Sequence, residues 1–342
     1  MPRRRPGVAD GTEYVTGQPG DTSAGPARGR PRPGRPAGSN PVPPAGIGTP
    51  MCTLIVGREV LGAGTLLVAA NRDEDPARSS EPPGLLSGVP HVAGGRDVLA
   101  GGTWLAVRER RAVVAVLNRR DSAGEAGPPI AGTEPAAPPS ADAVGRTHAS
   151  RRSRGLLALD AATAEAPEGS DGALAEAVLE RALQALDERG YAPFSLAFLA
   201  PGRGWLLSLR TGAAPRLEEI APGWHALTHA DLDDRGEPRT ARLMEALAGF
   251  RPRDEDGAIA GLRRLLSLHE DPASAGAPGR GAAVCVHRGR AVTVSSAIVS
   301  IAPAGARYLH AEGFPCEVAP ADRSRLLAGS LAEPERGGGQ KW

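Results

Sequence analysis

The sequence predicts an α+β layered sandwich, and two observations predict it. Short apolar runs of strand character come in antiparallel hairpins, joined by polar or glycine-bearing turns of a few residues. The helical segments cluster between these hairpins and do not alternate one by one with strands, which argues against a doubly wound parallel sheet. At 342 residues the chain is long enough to bury a substantial core, and one domain over about 52–328 fits better than two.

Residues 1–50 are dominated by Pro, Gly and Arg and carry almost no large apolar side chain. Such a segment cannot bury enough surface to offset the entropy of ordering. It is expected to be a disordered tail, or sequence upstream of a true start at Met51. From Cys52 the character changes. Cys52–Val56 and Thr65–Ala70 read as strands around a Gly-rich turn; Pro82, Pro83 and Pro90 mark a loop, and Val98–Ala100 a short strand. Thr103–Val107 and Ala112–Leu117 form a hairpin. Residues 121–150, rich in Pro, Ala and Gly, read as a mobile surface insertion.

A helix begins at Ser153–Leu159. The clearest one is Asp171–Arg189, with Asp171 as N-cap, one apolar face through Leu174, Val178, Ala182, Ala185 and Leu186, and Gly190 as the stop. Phe194–Ala200 with Trp205–Arg210 gives a second hairpin, and His225–His229 a further strand. Helices follow over Thr240–Leu247 and Ala258–His269. Ala282–His287 with Val292–Ile301 reads as a third hairpin, Arg307–Ala311 as one more strand, and residues 329–342 as a disordered tail.

Composition narrows the function. A net charge of +1 gives no reason to expect nucleic acid or an anionic membrane as the main partner. No apolar stretch approaches the ~20 residues that span a bilayer. Arg3-Arg4-Arg5 has no apolar run behind it, so no export signal is expected. Cys52, Cys285 and Cys316 are odd in number and lack any Cys-x-x-Cys pair, which predicts neither a disulfide framework nor a zinc ribbon and points to a reducing, cytoplasmic setting. No metal site is expected: His225 and His229 are four apart, but on a segment that reads as strand, and Cys285 within Val284-Cys285-Val286 reads as core.

Four places carry polar groups that a strand scaffold would hold at one rim. Cys52 is either a buried strand thiol or, behind a removable Met51, a thiol and a free α-amine on one carbon. In the second case the amine, with a pKa near ~7.7–8.0, can take the thiol proton at neutral pH. Asn71-Arg72-Asp73-Glu74 comes off the strand ending at Ala70; it is either a solvated turn or a site in which Arg72 stabilises negative charge and Asp73 holds the amine or Arg72. Asn118 at a strand end is either a turn former or a donor to an oxyanion. Trp104, after Gly101-Gly102, is core or a pocket wall.

As an ordered set these residues resemble the NRDE family, which includes the transport and Golgi organisation protein 2 homologues. The signatures are Met51-Cys52, Ala70-Asn71-Arg72-Asp73-Glu74 with Arg78, Gly95-Arg96-Asp97, Gly101-Gly102-Thr103-Trp104-Leu105, and Leu117-Asn118. Weaker echoes at Ser153-Arg154-Gly155, Phe194-Ser195-Leu196, Ala226-Leu227-Thr228-His229 and Ala282–Val286 extend the likeness to about 52–310. The family is similar to the N-terminal-nucleophile hydrolases, which implies a four-layer αββα sandwich of two stacked antiparallel sheets. It also implies that Cys52 attacks a linear amide, that Asn118 helps form the oxyanion site, and that Arg72 and Asp73 organise the centre. Asn71, Arg78, Arg96, Asp97, Trp104 and His229 are then the expected binding residues; His229 stands where most relatives carry Asn, and Asp75-Pro76 where they carry aromatics. Two functions follow from the resemblance. One is an N-terminal-cysteine amidohydrolase that requires no cofactor. The other is a carrier of haem or another small ligand in the same pocket, with Cys52 or His229 as axial ligand.

Overall fold

The computed structural model describes residues 51–120, 151–167, 169–270 and 282–328, all within the compact unit Gly46–Trp342. The expectations for residues 1–50, 121–150 and 329–342 lie outside the described residues. The first six strands are β1 (Thr53–Arg58), β2 (Leu66–Glu74), β3 (Ser80–Ser87), β4 (Val92–Asp97), β5 (Leu105–Arg108) and β6 (Ala112–Asn118). Helices α1 (Arg154–Ala162) and α2 (Asp171–Glu188) follow, then β7 (Phe194–Leu199), β8 (Gly204–Leu209), β9 (Arg216–Glu219) and β10 (Gly223–Leu227). Helices α3 (Pro238–Ala248) and α4 (Glu255–Leu266) precede β11 (Val292–Ala302), β12 (Gly305–Glu312) and β13 (Ala321–Asp322).

One sheet has six strands in the order β10-β1-β2-β11-β12-β13, and the other has seven in the order β3-β4-β5-β6-β7-β8-β9. Every ladder within them is antiparallel. Strand alternation divides the apolar side chains into three cores. Leu54, Val56, Leu66 and Val68 of the first sheet meet Leu105, Val107, Val113 and Leu117 of the second between the sheets. The outer face of the first sheet, through Ile55, Leu67 and Ala69, packs on Leu243, Leu247, Leu262 and Leu266 of α3 and α4. The outer face of the second, through Val114, Phe194 and Leu196, packs on Leu157, Leu174 and Val178 of α1 and α2. The protein is thus a four-layer αββα sandwich, as the resemblance implied. Central strands covered on both faces need apolar residues at every position, which is why Leu-Ile-Val and Val-Val-Ala-Val-Leu runs stand where a half-exposed sheet would alternate. Among the described residues no helix is long and apolar enough to cross a membrane.

The structure departs from the sequence reading at several elements. β2 does not stop at Ala70 but runs through Asn71-Arg72-Asp73-Glu74, because β11 pairs with it as far as Val292↔Glu74. Pro82 and Pro83 lie in β3, an edge strand, where a missing amide donor is tolerated; the ladder shifts register between Glu81 and Gly84. Val98–Ala100 is a turn, closed by the Ala100 amide donating to the Asp97 carboxylate at 2.9 Å. Ser170, not Asp171, caps α2, its hydroxyl accepting from the Ala173 amide. The third hairpin is β11 with β12. Residues 284–286 spend their amides otherwise: Val284 and Cys285 donate to the Leu268 carbonyl, and Val286 to the Thr293 hydroxyl. β4, β9 and β13 were not foreseen.

The entry of α1 depends on bare backbone. A Cβ at Gly102 would lie 2.1 Å from the Gly155 carbonyl carbon and 2.4 Å from the Leu156 nitrogen. The close approach lets the Thr103 amide donate to the Gly155 carbonyl at 3.0 Å, tying the loop before β5 to the first turn of α1. Gly102→Ala is therefore expected to destabilise the fold by about 1–3 kcal/mol, read as a lower urea midpoint with an unchanged slope. An unchanged midpoint would show that loop and helix separate freely.

Candidate functional site

The candidate site lies at the end of the first sheet where β1 begins and β2 ends. β1 pairs with β2 through Thr53↔Asn71 and with β10 through Leu54↔Leu227. Extending both registers toward the start of β1 places Cys52 in line with Arg72 on one side and His229 on the other. By alternation Cys52, Arg72 and His229 share the face turned toward the second sheet, and Cys52 packs on the core between the sheets. Thr53, Asn71 and Asp73 take the opposite face, under α3 and α4.

On that rear face a buried ion pair is the anchor. Asp73 and Arg239, each with its side chain 2 % exposed, meet at 2.9 Å. The other Asp73 oxygen accepts from the Thr293 hydroxyl at 2.7 Å. Burial raises the Asp73 pKa, outweighing the Arg239 charge and the two hydrogen bonds. The same Arg239 nitrogen donates to the Thr53 hydroxyl at 3.0 Å and to the Met51 carbonyl. Arg239 can reach so far because it sits in the first turn of α3, behind Pro238. Glu237 caps that turn, accepting from the Arg239 and Thr240 amides, and its carboxylate also accepts from the Thr228 hydroxyl at 3.0 Å. The helix start is thereby fastened to the segment carrying His229.

The front face is a charged shelf. Arg72, 4 % exposed, lies with its guanidinium carbon 4.6 Å from the centre of the Trp104 ring. It donates to the Ser80 hydroxyl at 3.3 Å and stands 3.5 Å from Asp97 and 3.7 Å from Glu74. Its Nη2, the atom that faces both carboxylates, is buried and makes no hydrogen bond. Trp104 fits because residue 95 is glycine; a Cβ there would be 2.3 Å from the indole. Arg78 donates to Asp97 at 2.7 Å. Arg154, at the start of α1, donates to the Pro193 carbonyl at 3.0 Å, and burial lowers its pKa while Cys52 and Glu74 act on it electrostatically.

Burial pushes the Cys52 thiol up to about 11, the Asp73 charge adds to that, and Arg72 opposes it only in part. A mid-chain Cys52 is therefore held as the thiol at pH 7. Burial also lowers the His229 pKa, so the imidazole is neutral at pH 7, and its Nδ1 is buried without a hydrogen-bond partner. An iron-bearing ligand entering here would find a protonated thiol and a neutral imidazole.

The structure thus gathers Cys52, Arg72, Asp73, Arg78, Asp97 and Trp104 at this end of the sheet, with His229 on the bend that follows β10. Three other expected site residues are placed differently. Asn71, expected to bind ligand, is buried on the helix side, and its amide donates to the Leu266 and Val284 carbonyls at 2.9 Å each. Arg96 points to the outer side of β4 and faces the exposed Glu81 at 3.8 Å. Asn118 ends β6 on the Val114 and Val116 face, opposite Phe194 of the α1–α2 core. Among the described residues no hydrogen bond joins its side chain to the Cys52 cluster. The sequence reading missed Arg239, Thr293, Arg154 and Glu237. Only Arg154 carried a signal, in the Ser153-Arg154-Gly155 echo; the others are isolated polar residues brought in by topology.

Two measurements probe this arrangement. Arg239→Met strands the Asp73 carboxyl without its countercharge and is expected to cost about 3–5 kcal/mol of unfolding free energy in urea; a loss below about 1 kcal/mol would remove the anchor role. Asp97 tests the shelf. Burial raises its pKa, but the Arg78 hydrogen bond, the Ala100 amide and the Arg78 and Arg72 charges outweigh that and leave it depressed. Its contribution is present above the unfolded value of ~3.9 and is lost as pH falls through the lower native one. The Tm deficit of Asp97→Asn should therefore shrink as pH drops from about 6 to about 3. A constant deficit would show that the charge contributes nothing.

Comparison with known proteins places this geometry. No curated protein matches the chain. Structures similar to it include the N-acylethanolamine-hydrolyzing acid amidase orthologue of Caenorhabditis elegans, at 15 % identity and a TM-score of 0.44, covering 72 % of this chain and 92 % of that one. A mutant of the conjugated bile acid hydrolase of Clostridium perfringens is similar at 11 % identity and a TM-score of 0.38, covering 81 % and 94 %. The family model of Transport and Golgi organisation 2 matches residues 51–308, a span that opens at Met51-Cys52 and takes in the whole rim. The chain belongs to the Transport and Golgi organisation 2 family.

Proposed function

We propose that the polar cluster around Cys52 is the active site of an N-terminal-cysteine hydrolase that cuts a linear C–N amide bond of a small molecule, once the chain begins at Cys52. The observation that carries this reading is the position of Arg239, whose one nitrogen bridges the Asp73 carboxylate and the Met51 carbonyl. The bond whose loss would free the Cys52 amine therefore lies against a buried acid–base pair suited to hold that amine.

In this reading the free amine, near pKa ~7.7–8.0, takes the thiol proton that burial otherwise locks in place. The sulfur attacks the amide carbon, the C–S bond forms, and the carbonyl oxygen becomes an oxyanion. The His229 N–H and the Arg72 guanidinium, in line with Cys52 on the same face, stabilise it. Collapse breaks the C–N bond, the ammonium returns its proton to the departing amine, and water then cleaves the thioester with the amine again as base. Asn118, the donor implied by family resemblance, is at the rim but on the other face of its strand, so His229 takes that part here.

The test expresses residues 51–342 without a tag, reads the intact mass, and assays the protein on a panel of N-acyl amines and N-acyl amino acids. The expected result is a chain starting at Cys52 whose turnover falls at least about a thousand-fold in Cys52→Ala. Turnover unchanged in Cys52→Ala overturns the proposal. No turnover, together with a haem Soret shift that the variant loses, would favour ligand carriage instead.

A further inference from the structure

Behind the strand ends that carry Cys52 and Arg72, on the helix side of the first sheet, four metal-ligating side chains converge from three separate segments. His269 follows α4, Cys285 and His287 lie in the segment before β11, and Cys316 lies in the turn after β12. Their donor atoms are all within 4.8 Å of one another. The two sulfurs are 3.7 Å apart, and His287 Nε2 is 3.4 Å from Cys285 Sγ and 3.1 Å from Cys316 Sγ. Zinc bonds of about 2.3 Å to sulfur and about 2.0–2.1 Å to nitrogen give tetrahedral edges of about 3.8 Å for S–S and about 3.6 Å for S–N. The sequence reading expected no metal and took Cys285 as core. It is buried, but its thiol turns toward partners that no sequence spacing announced.

The surroundings hold these donors in place. The Val284 and Cys285 amides both donate to the Leu268 carbonyl, at 2.8 and 2.9 Å, which seats Cys285 beside His269. Glu317 Oε1 lies 3.6 Å from His287 Nδ1, so a carboxylate faces one ring nitrogen while the other faces the thiols. Phe314 stacks on the same imidazole, with centroids 3.9 Å apart and planes at 14°. We propose that His269, Cys285, His287 and Cys316 form a structural site for a thiophilic divalent cation of the zinc class. Loading forms two metal–sulfur and two metal–nitrogen bonds and releases the two thiol protons to solvent, leaving a site of zero net charge. The bound metal would brace these strand ends from behind, because Val284 accepts from Asn71 and Val286 exchanges hydrogen bonds with Thr293, the partner of Asp73.

The site does not depend on Cys52 chemistry, and its test reads metal alone. The full chain is purified untagged under reducing conditions, analysed for zinc by mass spectrometry, and titrated with zinc against a chromophoric chelator. The expected result is about one zinc per chain, lost in Cys285→Ser with Cys316→Ser. Cobalt substitution should give the visible bands of a tetrahedral thiolate site. Glu317→Gln keeps every ligand and the fold, and should weaken zinc binding by about ten-fold. A reduced wild-type chain that neither retains nor takes up zinc overturns the proposal. So does a native chain that has lost two hydrogens to a Cys285–Cys316 disulfide.

Discussion

The buried pair of Asp73 and Arg239 is the constraint on which the rest of the site depends. Asp73 closes the rear of β2, and Arg239 opens α3, 166 residues further along the chain. Neither charge is tolerable in that layer without the other. Their meeting fixes where α3 enters, and through Glu237 and Thr228 it fixes the segment that carries His229. A single buried interaction thus sets both the support behind the strand ends and the composition of the polar cluster in front of them.

That division into rear and front explains the signature Asn71-Arg72-Asp73-Glu74. Four consecutive polar residues look like a turn, yet they continue a strand whose apolar part is buried on both faces. Alternation assigns them in pairs. Asn71 and Asp73 turn to the helices, where the Asn71 amide donates to two carbonyls and Asp73 accepts from a hydroxyl and a guanidinium. Arg72 and Glu74 turn to the second sheet, where the Arg72 guanidinium faces Asp97 and Glu74 at ion-pair distance. One half of the motif ties the strand to the helices, and the other half lines the charged shelf between the sheets.

How much of this was legible follows from the range of each interaction. The layered α+β fold was readable because hairpins and helix faces are local patterns, and the misplaced ends of β2 and α2 are errors of a few residues at boundaries. Cys52, Arg72, Asp73 and Trp104 were readable as a set because they stand at the ends of recognisable strands. Arg239 and Thr293 were not: each is an ordinary polar residue until β11 and α3 are laid against β2. Asn118 and Arg96 show the converse. Both lie in family signatures at strand ends, but a period of two decides their face, and local sequence does not say which face is inward. The Cys285 cluster was hidden for the same reason as Arg239, since its four donors come from segments that only the tertiary fold brings together.

The chemistry of Cys52 ties these levels to one another. Desolvation and the Asp73 charge hold the partly buried thiol protonated, so within an uninterrupted chain it is a poor nucleophile. Among the described residues the other candidate bases are weak or occupied: burial depresses the His229 pKa, and Asp73 is turned away and committed to Arg239 and Thr293. The group that fits is the α-amine of Cys52 itself, which does not exist while Met51 remains attached. On the proposed reading, the same burial that silences the thiol in the longer chain makes its reactivity conditional on where the chain begins. The rigid rear layer, with its ion pair and its proposed metal, then serves to keep that new terminus from fraying out of the sheet.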